Sequence, residues 1–202
     1  MKDKIRYILF DLGGVLVELT EISKVVEWMN FSLDQDEFRK MWLYSSAVRD
    51  YEMGKNSTLE FAEAIISEFK FSISPEEFIK EFIYFPKGLY SGTEELLQQL
   101  SQKYLLACLS NTNELHWDRM CDENSIDKLI PFSFPSHKTG FMKPDEEAYL
   151  HVIKSLNCEA DKILFFDDNQ INVDAAKQLG MNAIRVVGLE DLKLKLRELE
   201  II

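Results

Sequence analysis

Three apolar runs in this chain each end abruptly on polar groups. Ile8-Leu9-Phe10 stops at Asp11, Leu105-Leu106-Ala107-Cys108-Leu109 stops at Ser110-Asn111, and Ile163-Leu164-Phe165-Phe166 stops at Asp167-Asp168. A short unbroken apolar run reads as a strand buried on both faces, as in a parallel sheet. Helical periodicity fills the spaces between the runs, and strands alternating with helices imply a doubly wound α/β fold. If the strands are parallel, the three polar ends share one edge of the sheet, where such folds bind ligands. One polar strand end is common. Three of these types point to a single site.

Taken in order, residues 6–10 form the first strand, and Gly13-Gly14 then permits a sharp turn and a close approach of ligand to backbone. Between 18 and 86 no strand pattern is evident. Helices are expected over 21–29, over 34–45 with Phe38, Met41, Trp42 and Ser45 on one face, and over 57–69 behind a capping box, Ser57 with Glu60. Another opens at Ser74-Pro75-Glu76-Glu77, with proline at the first helical position. This stretch reads as a helical bundle inserted after the first strand. The α/β rhythm resumes near Gly88. Helices are expected over 93–102, from 113 to 123, from 145 to 156, over 172–179 and over 189–200. Strands are expected over 105–109, 132–134, 163–166 and 183–187. The division is therefore 1–17 with 87–202 as an α/β core and 18–86 as a helical cap.

The residue types at the strand ends suggest phosphate chemistry. Asp11, Asp167 and Asp168 repel one another unless a cation sits among them. Magnesium fits, being a hard ion that takes one or two carboxylates together with substrate phosphate. Ser110 and Asn111 offer a hydroxyl, an amide and backbone N–H groups at a helix start, which together make an anion site. Lys143, at another helix start, can supply positive charge. Each residue alone has a plainer reading: a loop acid, a pair of acids at a helix N-terminus, an N-cap, a solvated lysine. A net charge of −12 argues against nucleic acid and anionic membrane as partners, and it suits a phosphate binder only where a divalent cation shares the site. Cys108, Cys121 and Cys158 have no metal-ligand spacing and fit a reducing, cytoplasmic setting. The N-terminus leads straight into a strand without a signal peptide, and no apolar run approaches the ~20 residues of a membrane span.

Asp11-Leu12-Gly13-Gly14-Val15, Leu109-Ser110-Asn111-Thr112, Lys143-Pro144 and Phe166-Asp167-Asp168-Asn169 resemble, in order and spacing, the four motifs of the haloacid dehalogenase-like hydrolases. The insertion after the first motif matches the helical cap of the family's β-phosphoglucomutase and phosphatase branch, and glucose-1-phosphate phosphatase-type members are the most similar. The resemblance implies a Rossmann-like core and an aspartyl-phosphate mechanism. Asp11 would attack phosphorus, Ser110 and the Asn111 amide would hold phosphoryl oxygens, and Lys143 would neutralise charge. Asp11, the Gly13 carbonyl and Asp168 would bind magnesium, with Asp167 close by as a further ligand. The expected reaction is magnesium-dependent hydrolysis of a small phosphorylated metabolite such as a sugar phosphate.

The chain departs from the family pattern at Gly13. Most of the family's phosphatases carry there an aspartate that protonates the leaving alcohol and then activates water. Acid–base catalysis of this kind contributes about 10²–10⁴-fold. Glu18, Glu52 and His116 are candidate substitutes. The departure also raises two alternatives: a slow or non-catalytic protein that binds a phosphorylated ligand or a protein partner, and a metal-independent dehalogenase, which the Asp167-Asp168 pair disfavours. A cap face of Trp28, Trp42 and Tyr44 is a candidate homodimer surface, with packing in the cap core as the competing expectation.

Overall fold

The apolar runs become buried strands in the computed structural model, which describes residues 4–29 and 34–202. Met1-Lys2-Asp3, read as the lead into the first strand, lies outside the described residues. In chain order, β1 (Tyr7–Phe10) and β2 (Val17–Leu19) precede five helices: α1 (Ile22–Val26), α2 (Gln35–Tyr44), α3 (Ser46–Glu52), α4 (Thr58–Phe69) and α5 (Pro75–Phe82). Then come β3 (Pro86–Leu89), α6 (Thr93–Ser101), β4 (Leu105–Ser110), α7 (Glu114–Asn124), α8 (Ile126–Leu129) and β5 (Phe132–Pro135). The chain continues through α9 (Ser136–Thr139), α10 (Glu146–Leu156), β6 (Ile163–Asp167), α11 (Gln170–Gln178), β7 (Asn182–Arg185) and α12 (Gly188–Glu198). Among the described residues no helix is long and apolar enough to cross a membrane.

Five strands form one parallel sheet in the order β5-β4-β1-β6-β7. β1 is central because the chain first builds outward through β4 and β5 and then returns to its other side through β6 and β7. That reversal leaves a crevice at the carboxyl ends of β1 and its neighbours. The side chains of β1 alternate between two cores. Ile8 and Phe10 join Leu106, Cys108, Leu164 and Phe166 beneath α6 and α12. Tyr7 and Leu9 join Ala107, Leu109, Ile163 and Phe165 beneath α10 and α11. Both faces are covered, so these strands carry no polar alternation.

The inserted helices bury a core of their own, rich in aromatic rings. Phe61, Phe69, Phe78 and Phe82 are almost wholly buried, and the Tyr51 and Phe61 rings stack 4.3 Å apart. Such pairs add attraction beyond their area. α4 and α5 start at the two capping boxes read from the sequence, at Ser57 with Glu60 and at Ser74 with Glu77. Trp28 and Trp42 pack against this core, whereas Tyr44 is exposed. The three therefore do not form one surface patch.

The short helices α8 and α9 were not expected from the sequence, and two features of the insertion also differ from that reading. β2 and β3 pair antiparallel as a ribbon at the start and end of the helical insertion, a region read as free of strands. Three- and four-residue strands, one opening on a proline, are too short to show a period. Ser45, placed on the face of the second helix, instead caps a separate helix, α3. Its hydroxyl accepts from Val48 N at 3.3 Å and donates to Glu68 Oε2 at 2.7 Å. A seven-residue helix offers too few turns for its pattern to stand out.

Candidate active site

Register brings the strand ends together. Phe10 lies opposite Cys108 on one side and Phe166 on the other, so one step further sets Asp11 beside Asp167. The pairing continues through Asp11 N, which donates to Phe166 O at 2.8 Å. Ser110 ends β4 and is buried, and Asp168 directly follows β6. Lys143 arrives on the loop before α10. The Asn111 carboxamide fixes that loop, accepting from Lys143 N at 2.9 Å and donating to Lys143 O at 2.8 Å.

Lys143 Nζ lies 2.9 Å from Asp11 Oδ1 and 2.7 Å from Asp167 Oδ2, with the lysine side chain only 1% exposed. A buried ammonium is tolerable only when so paired. Asp167 also accepts from Asn169 N at 2.8 Å and from the Asn172 amide at 2.9 and 3.1 Å. Four donor contacts occupy both its oxygens, one of them from Lys143. Asp11 Oδ1 accepts from Leu12 N at 2.7 Å as well as from the lysine. Oδ2 is the Asp11 oxygen left to the cavity.

Asp168 folds back over the glycine turn. Gly14 has φ +72°, and a Cβ there would stand 2.6 Å from Asp168 Oδ2. Glycine is needed both for the left-handed backbone and for this approach. Asp11, Asp167 and Asp168 each bring an oxygen within 4.8 Å of the others. These carboxylates make an all-oxygen set that suits a hard divalent cation.

Burial pushes the Asp11 carboxyl up to about 7; Lys143 opposes this, and Asp167 and Asp168 add to it. Asp168 is likewise raised, mainly by burial and then by Asp167. For Lys143 burial works against the charge, but the two carboxylates outweigh it and hold the ammonium above its usual range. The site thus has more negative charge than one lysine can balance.

Asp11, Asp168 and Lys143 line a cavity of about 490 Å³ between the sheet edge and the inserted helices. The wall on the side of the insertion is formed by Val25, Phe38, Trp42, Leu43, Phe82 and Phe85, with Thr20 and Glu52 as polar exceptions. The three candidate substitutes for an acid at position 13 fall in different places. Glu18 pairs with Lys87 at 2.7 Å on the exposed ribbon and does not line the cavity. His116 lines it, but Nε2 is 2.7 Å from Phe82 O and Nδ1 is 3.0 Å from the Asn113 amide. Burial also holds His116 down at about 4, so it stays neutral with both nitrogens engaged. Glu52, the last residue of α3, is half-buried and lines the cavity with Asp11, Ser110 and Lys143.

Sequence reasoning missed several supports. Asn172 grips Asp167. Ser136 holds the loop after β4 through Thr112, accepting from its N and donating to its O, each at 2.9 Å. Leu19 covers Gly13, where a Cβ would meet its side chain at 3.3 Å. Asn172 lies five residues after Asp167, which puts it in the first turn of the following helix, and that spacing was the available signal.

A family model described as haloacid dehalogenase-like hydrolase matches residues 5–180. D-ribitol-5-phosphate phosphatase of Bacteroides thetaiotaomicron is 24% identical over 188 residues, covering 90% of this chain and 91% of that protein. A HAD family enzyme of the same organism, solved as a magnesium complex, superposes with a TM-score of 0.78 at 23% identity, covering 96% of this chain and 99% of that one. A predicted HAD-like family hydrolase from Porphyromonas gingivalis superposes with a TM-score of 0.80 at 23% identity over 98% of both chains.

Proposed function

The chain belongs to the haloacid dehalogenase-like hydrolases, and on that premise we propose that it is a magnesium-dependent phosphomonoester hydrolase working through an aspartyl-phosphate. One observation carries the reading: Asp11 is held by Lys143 and the Leu12 amide on one oxygen, leaving the other to a cavity that Ser110 and Asp168 also line. A similar protein is named as a sugar-alcohol phosphatase, and a similar structure contains magnesium.

In this reading residues 1–17 and 87–202 form the catalytic core and 18–86 the cap. Asp11 Oδ2 attacks phosphorus. The Ser110 hydroxyl and the Asn111 backbone N–H hold the phosphoryl oxygens, since the Asn111 side chain is committed to the lysine loop. Lys143 balances charge on the transferring group, and Asp167 keeps it in place. Asp11, Asp168 and the Gly13 carbonyl would hold magnesium, which supplies charge neutralisation at the phosphoryl group. Such chemistry is largely positioning and electrostatics. Unpaired thiols at Cys108, Cys121 and Cys158 support a reducing, cytoplasmic location.

The cavity wall bears on the substrate. A sugar or polyol would press hydroxyls against Phe38, Trp42, Leu43 and Phe85, where few partners exist, and unpaired polar groups are costly to bury. The wall supports an alkyl or aryl leaving group over a sugar. Phosphate release from a panel of alkyl, aryl and sugar phosphates, with magnesium and then with chelator, tests this. Magnesium-dependent turnover that favours the apolar esters is expected. Magnesium-dependent ligand binding without turnover on any ester would overturn it in favour of a non-catalytic binder.

A further inference from the structure

The reaction proposed above needs a proton donor that the glycine turn does not supply. Position 13 has no side chain, and Leu19 fills the space beside it. Among the described residues, the remaining ionisable groups on the cavity wall are Asp11, Asp168, Lys143, His116 and Glu52. Asp11 is the nucleophile, Asp168 faces the cation position, Lys143 is held between two carboxylates, and both His116 nitrogens are engaged.

We propose that Glu52, carried over the cavity by α3, is the acid–base residue that serves the leaving group in place of a side chain at position 13. This rests on the phosphomonoesterase reading. Two kinds of contact fix α3. Its inner face, Ala47, Val48 and Tyr51, is buried in the aromatic core of the cap, and the Tyr51 hydroxyl lies 2.9 Å from Thr58 Oγ1. Its other side rests on the sheet domain. Arg49 pairs with Asp145, two residues beyond Lys143, and the chain at Gly54 passes so close to α9 that a Cβ would overlap the His137 carbonyl oxygen. Arg49 and Glu52 are three residues apart and share a helix face. The face tied to the Lys143–Asp145 segment is thus the one presenting Glu52 to the cavity.

The proton balance closes in two steps. As Asp11 attacks phosphorus, the bond from phosphorus to the leaving oxygen breaks. Its electron pair stays on that oxygen, which takes the proton of the Glu52 carboxyl and departs as an alcohol. Water then attacks phosphorus and gives a proton to the Glu52 carboxylate. The Asp11–phosphorus bond breaks, Asp11 recovers its carboxylate, and inorganic phosphate leaves.

Burial pushes Glu52 up to about 7, with Lys143 opposing, so a protonated fraction persists near neutral pH. Asp11, Asp168, Lys143 and neutral His116 share its cavity, and His137 and Lys138 stand on α9. Neighbouring charges are otherwise engaged: Arg49 with Asp145, Asp50 with Lys55, and Glu68 on α4 with Ser45.

The test compares wild type with Glu52→Gln on two substrates, an alkyl phosphate and 4-nitrophenyl phosphate, whose leaving group departs without a proton. kcat/KM reports only the steps through departure of the alcohol. For the alkyl ester it is expected to fall about 10²–10⁴-fold, and for the nitrophenyl ester less than about tenfold. With the nitrophenyl ester the variant should also show a burst of nitrophenolate and accumulate phosphorylated protein, because the water step has lost its base. In wild type the alkyl rate should rise toward pH 7 as Asp11 ionises and fall above it as Glu52 loses its proton, and the variant should lack the falling limb. Equal losses on both esters, or no loss, would overturn the role of Glu52 while leaving the phosphatase reading standing. A wild type that releases no phosphate from these or any other ester of the panel would overturn the phosphatase reading and this inference with it.

Discussion

Lys143 is the most constrained residue of the site. Its ammonium is buried between Asp11 and Asp167, and Asn111 fixes its backbone on both sides. Lys143→Met keeps the length of the side chain but leaves two carboxylates buried without their cation. Breaking a buried pair from one side costs about 3–5 kcal/mol. Chemical unfolding of metal-free protein should show a loss of that order, together with loss of turnover. A change below about 1 kcal/mol would mean that the pair is not the buried partnership described. The composition of this site was legible in the sequence, since Asp11, Ser110, Asp168 and Lys143 each follow a strand or open a helix. The division of labour was not. Asp167 and Asp168 are adjacent acids in the sequence, yet one is saturated by four donor contacts and the other faces the glycine turn. Only side-chain direction separates them.

At the scale of elements, strands buried on both faces announced themselves as apolar runs, and the capping boxes of α4 and α5 marked those helices. The elements that join cap to core did not. β2, β3 and α3 are short, so their pattern carries no period, and Ser45 read as part of the preceding helix rather than as the cap of α3. α3 nevertheless brings Glu52 to the cavity, and its tie to the core is a partly exposed ion pair, Arg49 with Asp145. Such pairs contribute about 0–1 kcal/mol. Arg49→Ala should therefore barely move the unfolding midpoint while lowering kcat/KM on alkyl phosphates more than on 4-nitrophenyl phosphate. A uniform loss on both substrates would place the effect of Arg49 in folding or general binding instead.

For the molecule as a whole, the strand order explains why residues more than 150 positions apart meet. β1 lies between β4 and β6, so the first, second and fourth motifs converge on one edge, and the loop before α10 brings in the lysine. The inserted segment covers that edge and gives the cavity an apolar wall, which the sequence could not show because it depends on which way each aromatic of the insertion points. The −12 net charge makes sense at this scale. An acidic protein can handle a phosphate ester where a lysine and a divalent cation offset its carboxylates locally. Every step of the proposed reaction passes through Asp11. The most direct measurement is phosphate release from 4-nitrophenyl phosphate in magnesium by wild type and Asp11→Asn, with intact mass recorded during turnover. Wild type should turn over with a minor fraction of the protein carrying one added phosphoryl group, and Asp11→Asn should do neither. Turnover by Asp11→Asn at the wild-type rate would contradict the covalent mechanism.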